Sequence, residues 1–420
     1  DIGTCEPGFE DCNRAAEDGC EQSLTNGVAQ RCNGGAFETC TAGSPWQGEP
    51  CGVGCDEDTG CLTVRSLAAG GGHTCAVLSD DSIWCWGDNA KGQLGIGATT
   101  PTESPTPVRV GGAGAESVTL GHTSSCAVDD IGALACWGDN SEGQLGTGGT
   151  TPLFAPPLEP ALMPVQIADA GTWTTACAVL DGQVWCFGTP FDATSMMGAN
   201  PTEMGGVSSA AMLAVGTGFA CASRANDLRC WGDDSAGQLG NDETLADSGT
   251  PVKVGVEEDW AGLGAGDLSA YAFTTDGKVY AWGDNGEGQL GTGLPAGAAQ
   301  PTEVPLPPSV VEVRHVDGGR RHACVHARDD LDQLAVYCFG SNEHGKLGQG
   351  STVGGNDTPL QVLESPGVPL APSRIAVGWE HNCAVTEAES QIVCWGLNDK
   401  GQLGDGSYAS SGYPVRVDFP

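Results

Sequence analysis

A repeated ten-residue phrase constrains the fold of this chain more than any other feature. Its first complete copy is Trp86-Gly87-Asp88-Asn89 followed by Gly92-Gln93-Leu94-Gly95. The other copies begin with an aromatic residue at Trp137, Phe187, Trp231, Trp282, Phe339 and Trp395. Successive copies lie 51, 50, 44, 51, 57 and 56 residues apart. The chain therefore contains seven units, and the third is worn because it loses the Gly-Gln-Leu-Gly part.

Each unit contains four short strand-like segments. They are a Pro-led strand such as residues 107–110, a short run ending in Gly such as 118–121, a Cys-Ala-Val strand, and a strand ending in Cys-Trp-Gly. Four strands in each of seven units predict an all-β, seven-bladed β-propeller over residues 64–420. The chain ends on a lone Pro-led strand at 414–417. We therefore expect this C-terminal strand to pair with the first blade and close the ring.

The phrase, preceded by Gly-x-x-His and a short hairpin, resembles the regulator-of-chromosome-condensation repeat. The resemblance covers residues 64–420, and six of the seven units match well. It implies a seven-bladed propeller. It does not fix the function, because the family includes nuclear exchange factors, ubiquitin ligase modules and a secreted bacterial enzyme inhibitor. The segment from Cys5 to Glu21 resembles cysteine-rich modules of bacterial surface proteins, so we expect a secreted bacterial-type member.

Twelve of the 20 cysteines form one pair in each of six units. The pairs are Cys75 with Cys85, Cys126 with Cys136, Cys177 with Cys186, Cys221 with Cys230, Cys324 with Cys338, and Cys383 with Cys394. In the third unit, a two-residue type I′ turn at Asp181-Gly182 would place Cys177 opposite Cys186. We expect six hairpin disulfides, formed in an oxidising, extracytoplasmic compartment.

The fifth unit lacks both cysteines of the pair. With Asp276-Gly277 as its turn, the corresponding residues are predicted to be Ala272 and Ala281. Loss of both partners together is expected for a disulfide and not for independent metal ligands or buried thiols. Metal sites are the weaker alternative.

Residues 1–63 hold the other eight cysteines and little Leu, Ile, Val or Phe. This composition predicts a separate small module stapled by four disulfides, whose connectivity the sequence leaves open. Oxygen ligands cluster at Asp11, Asn13, Glu17, Asp18 and Glu21, which makes calcium a candidate cofactor. Their spacing departs from the helix-loop-helix calcium loop, so a solvated acidic loop is the simpler interpretation. No other cofactor is indicated.

The formal net charge is −37, of which −10 falls in residues 1–63 (2 basic, 12 acidic) and −27 in the remainder (15 basic, 42 acidic). Both parts repel phosphate, which argues against nucleic-acid and anionic-membrane partners. No apolar run approaches the roughly 18 residues that span a bilayer, so we expect no transmembrane segment. A start without Met fits a processed mature protein that is secreted or on the cell surface.

Units that differ at an exposed position point to a binding surface. The loop entering the Cys strand should lie at the same end of the ring as the Gly-Gln-Leu-Gly loop. Four residues before each first Cys or its substitute, the seven units carry Gly71, His122, Trp173, Thr217, Leu268, Arg320 and Trp379. His122, Trp173, Arg320 and Trp379 suit stacking and hydrogen bonding. The alternative is that the two Trp side chains merely cover neighbouring loops.

A second departure from the repeat is a basic cluster in an acidic chain. It consists of Arg314, His315, Arg320, Arg321, His322, His326 and Arg328. It could bind a carboxylate or sulfate group. Ion pairing with acidic neighbours is the alternative. A third departure is the worn unit at residues 189–212, which holds four of the five Met residues and could form an adaptable surface. Simple decay of the repeat is the alternative.

Two further patterns are better explained by the fold. His73, His322 and His381 occupy equivalent positions, which predicts a repeated structural role. The run from Gly340 to Lys346 fits the start of a phosphate-binding loop, but Leu347 replaces the Ser or Thr that would hold the metal.

These patterns favour an extracellular, non-enzymatic binding or scaffold protein. Its ligand, a protein or glycan at the cell surface, should bind at the loop face through His122, Trp173, Arg320, Arg321 and Trp379. The alternatives are an inhibitor of a secreted enzyme, and a polysaccharide-active enzyme that uses the basic cluster.

Overall fold

From residue 64 onward the chain folds into antiparallel sheets that follow one another around a central channel. The computed structural model describes residues 60–420, except 113, 157–161, 172–173, 192–196, 225, 242–244, 296 and 387–390. It also describes residues 9–10, 21–23, 28–33, 36–41, 47–50, 53 and 55–56. We number the blades 1 to 7 in chain order and letter the strands a to d from the channel outward.

The first four blades have these strands, in the order a to d. Blade 1 contains Val64–Ala69, His73–Leu78, Ile83–Asp88 and Glu103–Arg109. Blade 2 contains Ser117–Leu120, Ser124–Val128 and Leu134–Gly138, and two single bridges, to Leu153 and Leu162, stand in place of strand d. Blade 3 contains Val165–Ala170, Thr175–Leu180, Gln183–Gly188 and Thr202–Ser208. Blade 4 contains Met212–Val215, Phe219–Arg224, Asp227–Gly232 and Ser248–Lys253.

The last three blades are each four-stranded. Blade 5 contains Trp260–Ala265, Ser269–Thr274, Val279–Gly283 and Ala298–Val304. Blade 6 contains Val310–Gly318, His322–Asp329, Leu334–Ser341 and Gly355–Gln361. Blade 7 contains Pro372–Val377, His381–Thr386, Ile392–Gly396 and Ser411–Arg416.

Shorter elements complete the secondary structure. A 3-10 turn at Glu343–Gly345 and a small hairpin of Leu363–Ser365 with Val368–Pro369 belong to the loops of blade 6. The N-terminal strands are Phe9–Glu10, Glu21–Ser23, Val28–Asn33, Ala36–Thr41, Gln47–Pro50, Cys55–Asp56 and Gly60–Cys61.

The C-terminal strand does not pair with blade 1, so the predicted mode of ring closure is wrong. Ser411–Arg416 is strand d of blade 7, where Val415 pairs with Cys394. Strand Glu103–Arg109 completes blade 1, where Val108 pairs with Cys85. Proline has no N–H to donate, so a Pro-led segment suits the outer edge of a blade. Each Pro-led strand therefore ends one blade instead of beginning the next.

The ring closes instead by packing of blade 7 against blade 1. At this joint, as at every other, a glycine at the end of one a strand packs against the glycine of the next blade, and seven glycines take part. They are Gly70, Gly121, Gly171, Gly216, Gly266, Gly319 and Gly378. A Cβ atom on Gly70 would meet the carbonyl oxygen of Gly121 at 2.5 Å, and one on Gly378 would meet that of Gly70 at 2.9 Å. The intervening glycines make the same approach, each to the next. This cycle of contacts explains why the second strand-like segment of each sequence unit ends in Gly, because a side chain at that position would collide with the backbone of the next blade.

The repeated Trp, Gln and Gly residues build the joints between blades. The indole Nε1 of Trp137 in blade 2 donates to the carbonyl of Gln93 in the turn of blade 1, at 2.9 Å. Trp86 makes the same bond to Gln402 of blade 7 at 3.0 Å. Gly95, with a φ of 69°, leaves room for the indole of Trp137. The repeat phrase therefore serves packing of one blade on the next.

The six predicted hairpin disulfides are confirmed. All six join directly opposed residues of strands b and c, and the Cα atoms of each pair are 4.0 to 4.1 Å apart. The turn at Asp181 and Gly182 has φ angles of 50° and 77°, as a type I′ turn requires. The bridges expected among the eight N-terminal cysteines lie outside what the structure describes.

The fifth blade has a different register from the one expected. Tyr271, not Ala272, pairs with Ala281 and occupies the position of the first Cys. The reason is a longer connection: strand b ends at Thr274 and strand c begins at Val279. Both cysteines are still absent together, so the paired-loss argument holds with Tyr271 as the substitute.

Apolar clusters fill the spaces between adjacent blades. The cluster between blades 7 and 1 contains Trp86, Ile392 and Val417, and Val53 and Leu62 join it from the segment before blade 1. No helix among the described residues is long and apolar enough to cross a membrane. The division of the chain at residue 63 stays a prediction.

Candidate functional site

The loops that enter the b strands lie at one end of the channel, which we call the near mouth. The Gly-Gln-Leu-Gly turns lie at the same end, since Thr74 at the start of strand 1b donates from Oγ1 to the carbonyl of Gln402 at 3.0 Å. The sequence expectation that these two sets of loops share one end is therefore confirmed.

Three of the predicted ring residues converge at the near mouth. His122 of blade 2 packs edge to face on Trp379 of blade 7, with ring centroids 4.0 Å apart. The guanidinium of Arg320 in blade 6 lies over the same indole, 5.1 Å from its centroid. His122 reaches across blade 1 because Gly71 has no side chain, and a Cβ there would meet Nδ1 of His122 at 2.2 Å. One aromatic and cationic cluster thus joins three blades.

A buried ion pair supports the Trp379 loop from below. Glu380 is 8% exposed, and Oε2 of its carboxylate lies 2.6 Å from Nζ of the fully buried Lys346. The second oxygen, Oε1, lies 3.4 Å from Nη1 of Arg320. Lys346 replaces the Gln of the repeat phrase and is used within the protein, which removes the phosphate-binding interpretation of its segment. The cluster is therefore held in place by charged hydrogen bonds as well as packing.

The other predicted ring residues are placed differently. Arg321 is exposed and lies apart from the cluster, with Nη1 at 3.4 Å from Oε1 of Glu287 in blade 5. Trp173 lies outside the described residues. The register of blade 5 moves its ring position from Leu268 to Asp267, whose N–H donates to the carbonyl of Gly319 at 3.1 Å. Asp267 is a mouth residue that reasoning from the sequence missed.

The near mouth carries opposed charges around His122. Burial lowers the pKa of His122, the carboxylates of Asp88 and Asp267 raise it, and Arg320 lowers it. Burial is the largest of these effects, so the net shift of the pKa is downward. The imidazole is thus held neutral near pH 7, within the electrostatic reach of Arg320 and of the Asp88 and Asp267 carboxylates.

Below the mouth, a channel cavity of about 230 Å³ is lined by the a strands. Asp169 accepts hydrogen bonds from the N–H of Val215 at 2.8 Å, and Asp317 accepts from that of Ala265 at 3.1 Å. Each Asp satisfies the open edge of a neighbouring a strand. Burial raises the pKa of Asp169 to about 6. Burial and the nearby Asp169 raise the pKa of Asp317 to about 8.

The basic cluster does not form one site, and its arginines are ion-paired as the sequence alternative proposed. Arg328 lies 2.6 Å and Arg314 lies 3.6 Å from the carboxylate of Glu312. Arg320 and Arg321 lie at the near mouth, whereas Arg314 and Arg328 lie toward the opposite end of blade 6. His322 and His326 are buried, and burial lowers the pKa of His322 to about 3 and of His326 to about 4.

The recurring histidines have the structural role predicted for them. Nε2 of His73 lies 2.9 Å from Oγ of Ser125 in blade 2, and Nε2 of His322 lies 2.8 Å from Oδ1 of Asn382 in blade 7. Each histidine is buried and contacts the following blade. The expectation of an adaptable Met-rich surface is not met at Met197 and Met204, because both are buried in an apolar cluster of blades 3 and 4.

Among the described residues, no three His, Cys, Asp or Glu side chains are grouped so that they could hold a metal ion. The candidate calcium ligands Asp11, Asn13, Glu17 and Asp18 lie outside those residues, and the side chain of Glu21 is not described. Calcium there stays a prediction.

The repeat units match a known sequence model. The model of the Regulator of chromosome condensation (RCC1) repeat matches residues 80–128, 276–325 and 335–385, and a second model with that description matches residues 64–93, 261–289 and 373–402. This chain is an RCC1-repeat β-propeller.

Known proteins with similar sequences or folds include human and plant examples. The human E3 ubiquitin-protein ligase HERC2 is 30% identical over 366 residues, which cover 81% of this chain and 7% of HERC2. The Ultraviolet-B receptor UVR8 of Arabidopsis thaliana is 28% identical, over 85% of this chain and 70% of the receptor. The RCC1-repeat chain described here therefore spans a small part of the ligase and most of the receptor.

The fold is also found in solved structures. Prp20p from Saccharomyces cerevisiae superposes with a TM-score of 0.70 at 21% identity, over 80% of this chain and 86% of Prp20p. Human WBSCR16 superposes with a TM-score of 0.69 at 19% identity, over 81% of this chain and 94% of that one. At these identities the likeness shows the propeller fold alone.

Proposed function

We propose that this RCC1-repeat propeller is a non-enzymatic extracellular binding or scaffold protein whose protein or glycan ligand docks at the near mouth. The observation that carries the proposal is the convergence of His122, Arg320 and Trp379 from three different blades. Residues of the repeat phrase are used in joints between blades, whereas these three vary between units and share one opening. Arg321 and Trp173 are proposed as further contacts.

The chemistry of the cluster supports recognition rather than catalysis. A half-buried indole with a guanidinium over it offers an apolar surface and hydrogen-bond donors side by side, as aromatic and Arg anchors do in interfaces. Asp267 adds a carboxylate whose charge acts on His122. RCC1-repeat propellers are a binding and scaffold fold, and Prp20p, whose fold is similar, binds Gsp1p and histones.

An extracytoplasmic location is part of the proposal. Its support is six buried hairpin disulfides, since thiols in the cytosol are kept reduced. A separate cysteine-rich module at residues 1–63, of bacterial surface type, is proposed from the eight cysteines and the few large apolar residues of that segment.

A panel of immobilised glycans and surface proteins, scored for both retention and cleavage, tests the proposal. For any ligand found, Trp379→Ala with Arg320→Ala and His122→Ala should weaken binding by at least about tenfold. Arg224→Ala, an exposed Arg at the end of a b strand on the other face, serves as the control and should bind as the wild type does. Unchanged binding by the triple variant, with its thermal midpoint preserved, would overturn the site.

The same panel, together with an inhibition assay on secreted hydrolases, separates the alternatives. Cleavage of a retained glycan would favour the polysaccharide-active enzyme. Inhibition of a secreted hydrolase by the wild type and not by the triple variant would favour the inhibitor.

A further inference from the structure

A second concave site lies at the opposite end of the channel, which we call the far mouth. Its cavity of about 450 Å³ is lined in part by Ser66, Arg314, His315, His326, Ser373 and Arg374. These residues come from strands a of blades 6, 7 and 1 and from strand b of blade 6. The cavity continues the channel, since both share Leu67, His315 and Ile375 as lining.

We propose that the far mouth binds a tetrahedral oxyanion, such as a sulfate group, through Arg374 and Arg314. Two guanidinium groups on one cavity suit a doubly charged anion, because each can present two parallel N–H donors to it. A net charge of −37 makes such a pair of arginines an exception in this protein.

The acids near the far mouth leave the two arginines incompletely neutralised. Among the described residues, Arg374 has no ion pair. The carboxylate of Glu312 lies 2.6 Å from Arg328 and 3.6 Å from Arg314, so its closer contact is with an arginine outside the cavity lining. Arg328 also pairs with Asp332. Deeper in the channel, burial raises the pKa of Asp317 to about 8, which keeps that carboxyl group protonated at neutral pH. Asp317 therefore places no negative charge behind an anion bound at this mouth, although Asp169, with a pKa of about 6, is ionised in the channel at neutral pH.

Neutral donors complete the site. The hydroxyl oxygen of Ser66 accepts from the N–H of Val118 at 3.2 Å, so its own proton can be donated into the cavity. The imidazole of His315 lines both cavities, and burial lowers its pKa to about 4. A neutral imidazole has one N–H to donate. His326 is tied to the wall, since its Nε2 donates to the carbonyl of Pro372 at 2.9 Å.

The basic cluster of the sequence analysis already contained Arg314, His315 and His326. It could not include Arg374, Ser373 or Ser66, because these lie far from it in the sequence. Arg374 and Ser373 lie in blade 7, and Ser66 lies in blade 1. Packing of blade 7 on blade 6 brings Arg374 and Ser373 to Arg314, and closure of blade 7 on blade 1 adds Ser66. The far mouth uses none of the residues proposed to bind ligand at the near mouth, so either site can fail without the other.

Calorimetric titration of the whole chain with sodium sulfate at constant ionic strength tests the proposal. The wild type should show saturable binding in the millimolar range or tighter, and Arg374→Gln should weaken it by at least about tenfold. Arg314→Gln should weaken it as well. Arg224→Gln is the matched control, because Arg224 is exposed at the same end of blade 4 and should leave binding unchanged.

A second arm identifies the source of the anion, with N-acetylglucosamine 6-sulfate compared with the unsulfated sugar. Binding of the sulfated sugar alone would support a glycan sulfate as the ligand, and binding of inorganic sulfate alone would support the free ion. No saturable binding by the wild type in either arm, or equal binding by Arg374→Gln, would overturn the site. Both arginines are solvent-exposed, so thermal midpoints of the variants should match that of the wild type.

Discussion

The Nε2 atom of His381 lies 2.8 Å from the Oγ1 atom of Thr74, although 307 residues separate them in sequence. The hydroxyl of Thr74 also donates to the carbonyl oxygen of Gln402 at 3.0 Å. A hydroxyl has one proton, so the imidazole must donate to it from Nε2. This short chain of hydrogen bonds fastens blade 7 to blade 1. His73 and Ser125 repeat it between blades 1 and 2, with Ser125 donating to the carbonyl of Gln93.

Replacing Thr74 by Val tests this fastening. Valine keeps the shape but leaves the N–H of His381 and the carbonyl of Gln402 buried without this partner. We expect the free energy of unfolding to fall by about 1–3 kcal/mol, measured by urea denaturation. Thr250→Val, on an exposed edge strand, is the control and should change it by less than about 0.5 kcal/mol. Equal effects of the two substitutions would contradict a special role for Thr74.

The cycle of seven glycines makes a second prediction. A methyl group on Gly319 would lie 2.4 Å from the carbonyl oxygen of Gly378, so Gly319→Ala must push blades 6 and 7 apart. We expect a loss of at least about 2 kcal/mol in the free energy of unfolding. A Cβ atom on Gly149 would meet no atom within 4 Å, and Gly149 does not have a positive φ. Gly149→Ala should therefore leave the free energy of unfolding unchanged or raise it slightly. Thermal unfolding of both variants decides the matter, and a stable Gly319→Ala protein would refute the close approach.

The sequence predicted what depends on local spacing. The period of the phrase set the number of blades, and the two-residue turn at Asp181-Gly182 set the pairing of Cys177 with Cys186. The same reasoning misplaced Ala272, because Thr274 bonds across a longer connection to Lys278 in blade 5. Turn length, rather than turn composition, determined that register.

Contacts between blades could not be derived in this way. The approach of His122 to Trp379 depends on how blades 7, 1 and 2 are seated and on the empty space at Gly71. The missing N–H of proline favours the Pro-led segment as the outer strand d of a blade. The repeat in the sequence does not show whether that segment ends one blade or begins the next. Variation between the sequence units therefore located the near mouth, whereas the contacts within it could not be derived from the sequence.

Stability should depend on pH through Asp317. Its pKa is about 8 in the folded protein, against an ordinary value of 3.8, so the folded state holds a proton that the unfolded chain releases. Stability from this group is fully present below about pH 4 and is lost as the pH rises through 8. Asp317→Asn keeps the acceptor oxygen for Ala265 but does not titrate.

Asp317→Asn should therefore become more stable relative to the wild type as the pH rises. Between pH 5 and pH 9 we expect the difference in free energy of unfolding to change by a few kcal/mol, in favour of Asp317→Asn. Urea denaturation across this range measures it, with the exposed Asp130→Asn as the control. Parallel curves for Asp317→Asn and wild type would show that the carboxyl group titrates normally.

The hairpin disulfides make the last prediction. Cys75 and Cys85 are fully buried and close a loop with a sequence separation of 10 residues. Replacing both by Ala should lower the free energy of unfolding by about 2–3 kcal/mol, because the unfolded chain regains the entropy that the bridge removes. Unfolding by urea measures this under oxidising conditions. In the presence of excess dithiothreitol, where the unfolded wild type also loses its bridges, the difference between the two proteins should shrink toward zero. A difference that persists under reduction would assign the effect to packing of the two sulfur atoms instead of to the cross-link.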